Sequence, residues 1–190
     1  MRTLPSAEAT RPRVIRHVGG LGATPLAWTL DHYDAVMPSL RAYERFGRFL
    51  VNGWMQPDVV RILRVLSKHQ GSLSVDGHVV EIGVHHGKLF IPLQLVSSPE
   101  AKSLAIDVFD DQDLNVDQSG RGNHGRFVQN VARWGRPEAL VVRQADSTTV
   151  TPAQIAEDTG GPLRFFCVDG GHTREIVRSD MALAASSIVP

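Results

Sequence analysis

The stretch VVEIGVHHGKLF, residues 79–90, changes its character twice within a short distance. A run of β-branched and apolar residues encloses the carboxylate of Glu81, two glycines then bracket a histidine pair, and apolar residues return at helical spacing. This order is typical of a buried strand, a tight turn and the start of a helix. The turn could hold a cofactor, place two histidines on a metal ion, or serve only to connect strand and helix.

The same alternation of strand and helix patterns occurs four times between residues 77 and 190. The apolar runs are HVVEIGV, SLAIDVF, ALVVRQAD and LRFFCVD, and a segment with helical periodicity follows each of them. Near-continuous apolar runs are typical of parallel strands that are buried on both faces. Because crossovers between parallel strands are right-handed, we predict an α/β fold: a Rossmann-like, doubly wound parallel sheet with helices on both faces.

Two regions precede this predicted domain. Residues 1–26 carry proline, glycine and polar residues without periodicity, and we predict a weakly ordered arm there. Residues 27–76 form a predicted N-terminal helical segment. Two apolar stripes in this segment are expected to pack into the core: Leu40, Tyr43, Phe46 and Leu50 in the first, and Val59, Ile62, Leu63, Val65 and Leu66 in the second.

The composition limits the classes of function. The 190 residues suit a single domain, and 20 basic residues balance 20 acidic ones, so no overall field favours nucleic acid or a membrane surface. The single cysteine, Cys167, cannot form an internal disulfide, and no apolar stretch is long enough to span a bilayer. We therefore expect a cytoplasmic protein without a nucleic-acid or membrane partner.

Polar residues gather where the predicted strands end. Ligands of open parallel sheets bind beyond the carboxyl ends of the strands, so side chains at these ends should converge on one site. The strand-end residues are Glu81 and Gly83, then Asp107, then Asp146 and Ser147, and finally Asp169 and His172. This set predicts a small-molecule site.

The turn after the first strand reads E-x-G-x-x-x-G and departs from the dinucleotide fingerprint G-x-G-x-x-G. Counting from Gly83, His85 and Lys88 stand where that fingerprint needs its second and third glycines. Asp107 follows about twenty residues later, as an acid that binds ribose hydroxyls does. A nucleoside cofactor with no phosphate to cradle fits both facts, and a nicotinamide-dependent oxidoreductase is the least favoured function.

Two polar features outside this set also have predicted roles. The stretch 110–125, DDQDLNVDQSGRGNHG, fails as a calcium loop because Val116 and Gly122 replace its required glycine and glutamate. We predict a mobile loop beside the cofactor there, with an ordinary surface loop as the alternative. Asp180 is predicted to be a solvated or capping charge.

The segments VVEIGVHHGKLFIPL, LAIDVFD and FFCVDGGHTREIVRSDMALAASSIVP resemble class I S-adenosylmethionine-dependent methyltransferases. The resemblance covers residues 77–190 and is greatest to the subgroup with a D-x-x-H motif after the fourth strand. That subgroup includes macrolide-sugar O-methyltransferases and cephalosporin-hydroxylase-like proteins. The implied cofactor is S-adenosyl-L-methionine. The resemblance implies that Gly83 and Gly87 shape the loop around the methionine part of this cofactor and that Glu81 lies near its ammonium group. It also implies that Asp107 binds the ribose and that Asp146 and Ser147 lie by the adenine.

The resemblance also implies the chemistry. Asp169 would help to hold a divalent metal such as Mg²⁺, and His172 would be the catalytic base beside the acceptor hydroxyl. The expected function is a metal-assisted O-methyltransferase acting on a small hydroxylated metabolite, a sugar or a natural product. The alternatives are a non-catalytic S-adenosylmethionine-binding or interaction domain, a truncated inactive fragment, or a D-G-G-H turn that merely precedes a helix capped by Thr173.

In the resembled family, SSIVP is followed by a fifth strand that ends in paired acids completing the metal site, and then by a hairpin. The resemblance therefore implies a sheet with the strand order 3-2-1-4 that is incomplete at the C-terminus, with LRFFCVD at its edge. An exposed edge strand invites association. We accordingly expect either a fragment of a longer enzyme or a homo-oligomer that covers this edge.

Overall fold

In the computed structural model of the chain, the described residues are 39–116, 118, 120–188 and the backbone of 14–16. The strands are β1 (Val14–Arg16), β2 (His78–Ile82), β3 (Ser103–Asp107), β4 (Leu140–Gln144) and β5 (Leu163–Val168). The α-helices are α1 (Arg48–Leu50), α2 (Val59–Ser72), α3 (Phe90–Leu95), α4 (His124–Trp134), α5 (Pro152–Thr159) and α6 (Arg174–Ser187). A π-helical turn, Tyr43–Gly47, leads into α1, and short 3₁₀ helices lie at Gln112–Leu114, Pro137–Ala139 and Ser147–Thr149.

The strands form one sheet in the order β1-β4-β3-β2-β5. Strands β2 to β5 are parallel, which confirms the predicted α/β fold and the predicted order of its four strands. Strand β1 is antiparallel to β4, with Val14 opposite Arg143. The prediction of a weakly ordered arm over residues 1–26 missed this strand, because three residues without alternation carry no strand signal. The rest of that arm lies outside the described residues.

Apolar side chains cover both faces of the sheet. Val79 belongs to one core cluster with Phe90 of α3 and Phe127 of α4. Its neighbour Val80 points to the opposite face and belongs to a second cluster with Ile155 of α5 and Leu183 of α6. Successive residues of a strand face opposite sides, so an uninterrupted apolar strand requires a helical layer on each side. The predicted placement of helices on both faces is confirmed.

Capping residues fix where the helices after the strands begin. The side-chain oxygen of Thr151 accepts a hydrogen bond from the backbone N–H of Gln154, whose side chain accepts one from the Thr151 N–H, and Pro152 opens α5. Thr173 caps α6 by accepting from the N–H of Ile176, as the sequence suggested. Since Thr173 directly follows His172, this cap fixes the chain direction at the end of β5.

The N-terminal helical segment packs differently from the predicted stripes. In the first stripe, Leu40 and Tyr43 are buried as expected, but Phe46 and Leu50 are 54% and 62% exposed. In α2, the buried residues are Val60, Leu63 and Ser67, whereas the predicted core residues Ile62, Val65 and Leu66 are exposed. The reason is geometric: α2 contacts the core through one narrow face at positions i, i+3 and i+7, so apolar residues beside that face stay outside.

A buried arginine joins α2 to the edge of the sheet. Arg164 in β5 donates hydrogen bonds from Nη2 to Ser67 Oγ at 2.9 Å and from Nε to Gln70 Oε1 at 3.0 Å. The Gln70 side-chain amide returns a hydrogen bond of 2.9 Å to the backbone carbonyl of Arg164. The guanidinium is thus paired with groups from a helix that precedes the whole β–α domain.

Candidate functional site

A cavity of about 350 Å³ opens at the carboxyl ends of the parallel strands. The ends of parallel strands meet at one edge of a sheet, which brings residues from distant parts of the sequence together. Six of the eight predicted site residues line this cavity: Gly83, Asp107, Asp146, Ser147, Asp169 and His172. The other two, Glu81 and Gly87, are not among its lining residues.

Asp107 holds two loops together at the centre of the cavity. Its Oδ2 accepts a hydrogen bond of 2.8 Å from the backbone N–H of His85, and its Oδ1 accepts one of 2.6 Å from the N–H of Phe109. Burial raises the pKa of this carboxyl, and the two backbone hydrogen bonds oppose the shift. Each carboxylate oxygen can accept further hydrogen bonds, so Asp107 can organise the loops and still bind a ligand hydroxyl.

Glu81 is a buried carboxyl without a full set of partners. Its side chain lies on β2, the residue is 2% exposed, and Oε2 has no hydrogen-bond partner among the described residues. Burial raises its pKa well above the usual glutamate range, and the negative charges of Asp169 and Asp107 raise it further. A cation or hydrogen-bond donor that enters beside it would therefore be stabilised.

The two glycines of the β2–α3 turn are required by packing. Gly83 has φ +82°, and a Cβ there would overlap the backbone carbonyl of Asp169, so only glycine lets the ends of β2 and β5 approach this closely. Gly87 has φ +90°, and a Cβ would lie 3.1 Å from the Phe127 ring of α4. Gly83 thus borders the cavity, whereas Gly87 lies behind it against the helical layer.

The histidine pair between these glycines forms a stack of rings. The centroids of His85 and His86 are 3.9 Å apart, and the ring of Trp54 lies 5.6 Å from His85. Burial lowers the pKa of His86, and the adjacent His85 adds to this effect. In the part of the chain that the structure describes, no three His, Cys, Asp or Glu side chains are grouped to hold a metal ion.

Asp169 and His172 lie near each other at the end of β5. Burial raises the pKa of the Asp169 carboxyl, and the nearby His172 opposes that shift. Both residues line the cavity, three positions apart on the turn between β5 and α6. A carboxylate beside an imidazole can orient it and stabilise its protonated form, which suits a group that accepts a proton.

Asp180 was predicted to be solvated or capping, and this prediction is wrong. It is 0% exposed on α6, and neither carboxylate oxygen has a hydrogen-bond partner among the described residues. It lies behind the cavity wall, since a Cβ on Gly170 would be 3.1 Å from its Oδ2. Burial raises its pKa; the nearby Ser147 side chain opposes this shift, and Asp146 adds to it. The sequence did contain one signal for this burial, because Asp180 stands three and four positions before Leu183 and Ala184, which are buried on the same helix.

The rim of the cavity includes residues that the sequence did not single out. Trp54, in the N-terminal helical segment, lines the cavity together with Leu114 and Val116 from the loop after β3. That loop was predicted to lie beside the cofactor, and the described residues 114–116, Gly120 and Gly122 border the cavity. The Asn115 side-chain amide stabilises the loop by donating to the Gly120 carbonyl and to Gln112 Oε1. Trp54 sits in no recognisable motif, so only the structure reveals it.

Comparison with known proteins gives a match to a family model and matches to solved structures. Residues 80–190 match a family model described as a methyltransferase domain. The structure is similar to that of the O-methyltransferase from Bacillus cereus in complex with SAH, with a TM-score of 0.53 and 16% sequence identity. The similarity covers 87% of this chain and 64% of that chain, and at this identity it concerns the fold. No curated protein sequence matches, and no helix among the described residues is long and apolar enough to cross a membrane.

Proposed function

This chain belongs to the family of methyltransferase domains, and we propose that it transfers the methyl group of S-adenosylmethionine to a hydroxyl oxygen of a small metabolite, a sugar or a natural product. The observation that carries the proposal is the convergence of Gly83, Asp107, Asp146 and Asp169 on one cavity at the strand ends. The volume of this cavity, about 350 Å³, is in the range of small-molecule sites.

The residues present fit this cofactor. The unpartnered Oε2 of buried Glu81 is suited to an ammonium group, because a nearby positive charge favours the ionised carboxylate. Asp107 retains lone pairs for ribose hydroxyls after accepting its two backbone hydrogen bonds. Asp146 and Ser147 line the part of the cavity beyond β4 and would contact the adenine.

When bound, S-adenosylmethionine supplies an electrophilic methyl group on a positively charged sulfur. The protein has to place the acceptor oxygen in line with that methyl group, and such positioning can contribute ~7–11 kcal/mol. His172 accepts the hydroxyl proton, and a positioned histidine base typically contributes ~10²–10⁴-fold in rate. Asp169 would stabilise the positive charge that results, because its carboxylate lies near His172.

A divalent metal such as Mg²⁺ is part of the proposal only as an ion that Asp169 would bind through its carboxylate. Magnesium is held by carboxylates together with water and substrate oxygens, so a single carboxylate can contribute to such a site. The described residues provide no group of three candidate side chains around it. Every step that we assign therefore uses the side chains of the chain itself.

The proposal also includes a small-molecule acceptor, a cytoplasmic location and a homo-oligomeric state. A cytoplasmic location is supported by the single cysteine, Cys167, which is a free thiol and cannot form an internal disulfide. Self-association is supported by β5, which is paired along one side by β2 and ends the sheet of the described strands. Light scattering at several concentrations measures the oligomeric state directly.

Calorimetry and a transfer assay test the function. We expect S-adenosylmethionine and SAH to bind and NAD not to bind. His172→Ala should lower turnover ~10²–10⁴-fold and leave the affinity for SAH unchanged, because the base contacts the acceptor. The exposed His69→Ala on α2 is the control and should change neither quantity. Binding without transfer to any acceptor would favour a non-catalytic binding domain, and preference for NAD would contradict the proposal.

A further inference from the structure

Three apolar side chains are exposed at the mouth of the cavity. Trp54 is 78% exposed, Val116 73% and Leu114 41%, and all three line the cavity. Single exposed apolar residues are ordinary on protein surfaces, but a group of them at a pocket marks a binding surface. Two separate parts of the chain supply this group, the N-terminal helical segment and the loop after β3, so it does not follow from the packing of one helix.

Trp54 is held in a defined position while most of its surface stays exposed. Its ring lies against His85, with centroids 5.6 Å apart and the planes inclined by 44°. His85 is itself fixed, because its backbone N–H donates to Asp107. An exposed indole beside the cavity offers a flat apolar face on which a flat ligand can pack.

Among the residues that the structure describes, few polar groups remain near this mouth for an acceptor. Under the proposed function, Glu81, Asp107, Asp146 and Ser147 serve the cofactor, and the Asn115 amide already donates to Gly120 and Gln112. Among the described residues, the remaining polar side chains that line the cavity are His85, Asp169 and His172. The His85 ring already packs against the rings of Trp54 and His86, which leaves Asp169 and His172 to serve one hydroxyl. A sugar would bring several hydroxyls, and each one that is desolvated without a partner weakens binding.

We infer that the acceptor is a hydroxylated aromatic compound rather than a sugar, with its ring packed on Trp54 and its hydroxyl directed at His172; this inference rests on the proposed function. The phenol oxygen forms the new C–O bond while the C–S bond breaks and its electron pair stays on sulfur. His172 takes the phenol proton, so atoms and charge balance. A phenol has an acidity similar to that of tyrosine, with a pKa of about 10, and gives its proton to a histidine far more readily than an aliphatic alcohol does.

Three probes distinguish an aromatic acceptor from a saturated alcohol and from a sugar: 2-naphthol, its saturated analogue decahydro-2-naphthol, and methyl glucoside. Each is titrated into the chain with SAH bound, and each is then offered as a methyl acceptor with S-adenosylmethionine. We expect 2-naphthol to bind most tightly and to be methylated, decahydro-2-naphthol to bind more weakly without methylation, and methyl glucoside to do neither. Preferential binding or methylation of methyl glucoside would overturn the inference while leaving the proposed function intact.

Substitutions at the rim test the surface itself. Trp54→Ala should weaken 2-naphthol binding about tenfold, and Trp54→Phe should restore most of it, since aromatic packing contributes roughly that much. Phe49→Ala removes a ring that is 71% exposed but does not line the cavity, and should leave the affinity unchanged. The SAH affinity of all three variants should equal that of the native chain, which also shows that they fold.

Equal affinity of Trp54→Ala and the native chain for 2-naphthol would refute the role of Trp54. Failure of the native chain to bind SAH at all would instead contradict the proposed function. The two failures are therefore distinguishable.

Discussion

Replacement of Glu81 by glutamine tests the site most directly, because it removes a charge and preserves the shape of the side chain. Glu81 is 2% exposed and its Oε2 has no partner among the described residues. If that oxygen receives the ammonium of the cofactor, Glu81→Gln loses one charge-assisted hydrogen bond, worth ~1.5–3 kcal/mol. This corresponds to an affinity for SAH that is roughly 10- to 150-fold weaker.

The same substitution should stabilise the chain when no ligand is bound. The pKa of Glu81 is raised in the folded state, first by burial and then by Asp169 and Asp107, so folding takes up a proton. The free energy of unfolding therefore decreases as the pH rises from the usual glutamate value of about 4.3 towards the raised value. Glu81→Gln removes this contribution, and its stability advantage over the native chain should grow through that range.

Two measurements check these effects. Thermal denaturation between pH 4 and pH 8 gives the difference in stability between Glu81→Gln and the native chain. Calorimetry with SAH in buffers of different ionisation enthalpy counts protons: the native chain should release a proton on binding, because the ammonium favours the ionised carboxylate. The variant should release fewer. Glu138→Gln, at an exposed position, is the control and should behave as the native chain does.

A Glu81→Gln variant that binds SAH as tightly as the native chain would refute the assignment of Glu81 to the cofactor. A variant that is less stable than the native chain at every pH would refute the claim that burial of the ionised Glu81 carboxylate destabilises the fold.

Three other substitutions test neighbouring features. Asp107→Ala should weaken SAH binding by ~1.5–3 kcal/mol in calorimetry while the chain remains folded, and unchanged affinity would contradict its role at the ribose. Gly83→Ala should lower the free energy of unfolding by more than ~1–3 kcal/mol in a denaturant titration, because backbone strain adds to the overlap with Asp169. The control Gly120→Ala, whose Cβ would meet only His85 at 3.6 Å, should have little effect. Asp180→Asn should raise the thermal midpoint more at pH 8 than at pH 5, since burial raises the pKa of this carboxyl; an equal shift would refute this explanation.

The parallel sheet was predictable because its signal repeats. Four apolar runs, each followed by a helical pattern, are compatible with few folds other than a parallel α/β sheet. The right-handedness of the crossovers then places helices on both faces of that sheet. Convergence of the strand ends was predictable for the same reason, which is why Asp107 and Asp169 meet at one cavity. The Thr173 cap could also be read from local residue types. Signals of this kind depend on neighbours in the sequence.

Features that depend on distant partners were not predictable. Asp180 resembles a surface residue in composition, yet it faces inwards because Leu183 and Ala184 fix the buried side of α6. Phe46 and Leu50 have the spacing of core residues but lie outside, because Gly47 and Val51 follow Tyr43 on the buried side instead. Periodicity shows that a helix has an apolar side, but it does not show how much of that side another element covers.

The hydrogen bonds between α2 and Arg164 bear on how the chain can be divided. The family match begins at residue 80, so a shortened protein starting there would keep β5 and lose Ser67 and Gln70. The guanidinium is 94 residues or more away from these partners along the chain, and it would have to be solvated or re-paired in the shortened form. Removing the partners of a buried charge typically costs ~3–5 kcal/mol, a large share of the stability of a domain. During synthesis, too, α2 can form these hydrogen bonds only after β5 has been made, so the two elements reach their final packing together.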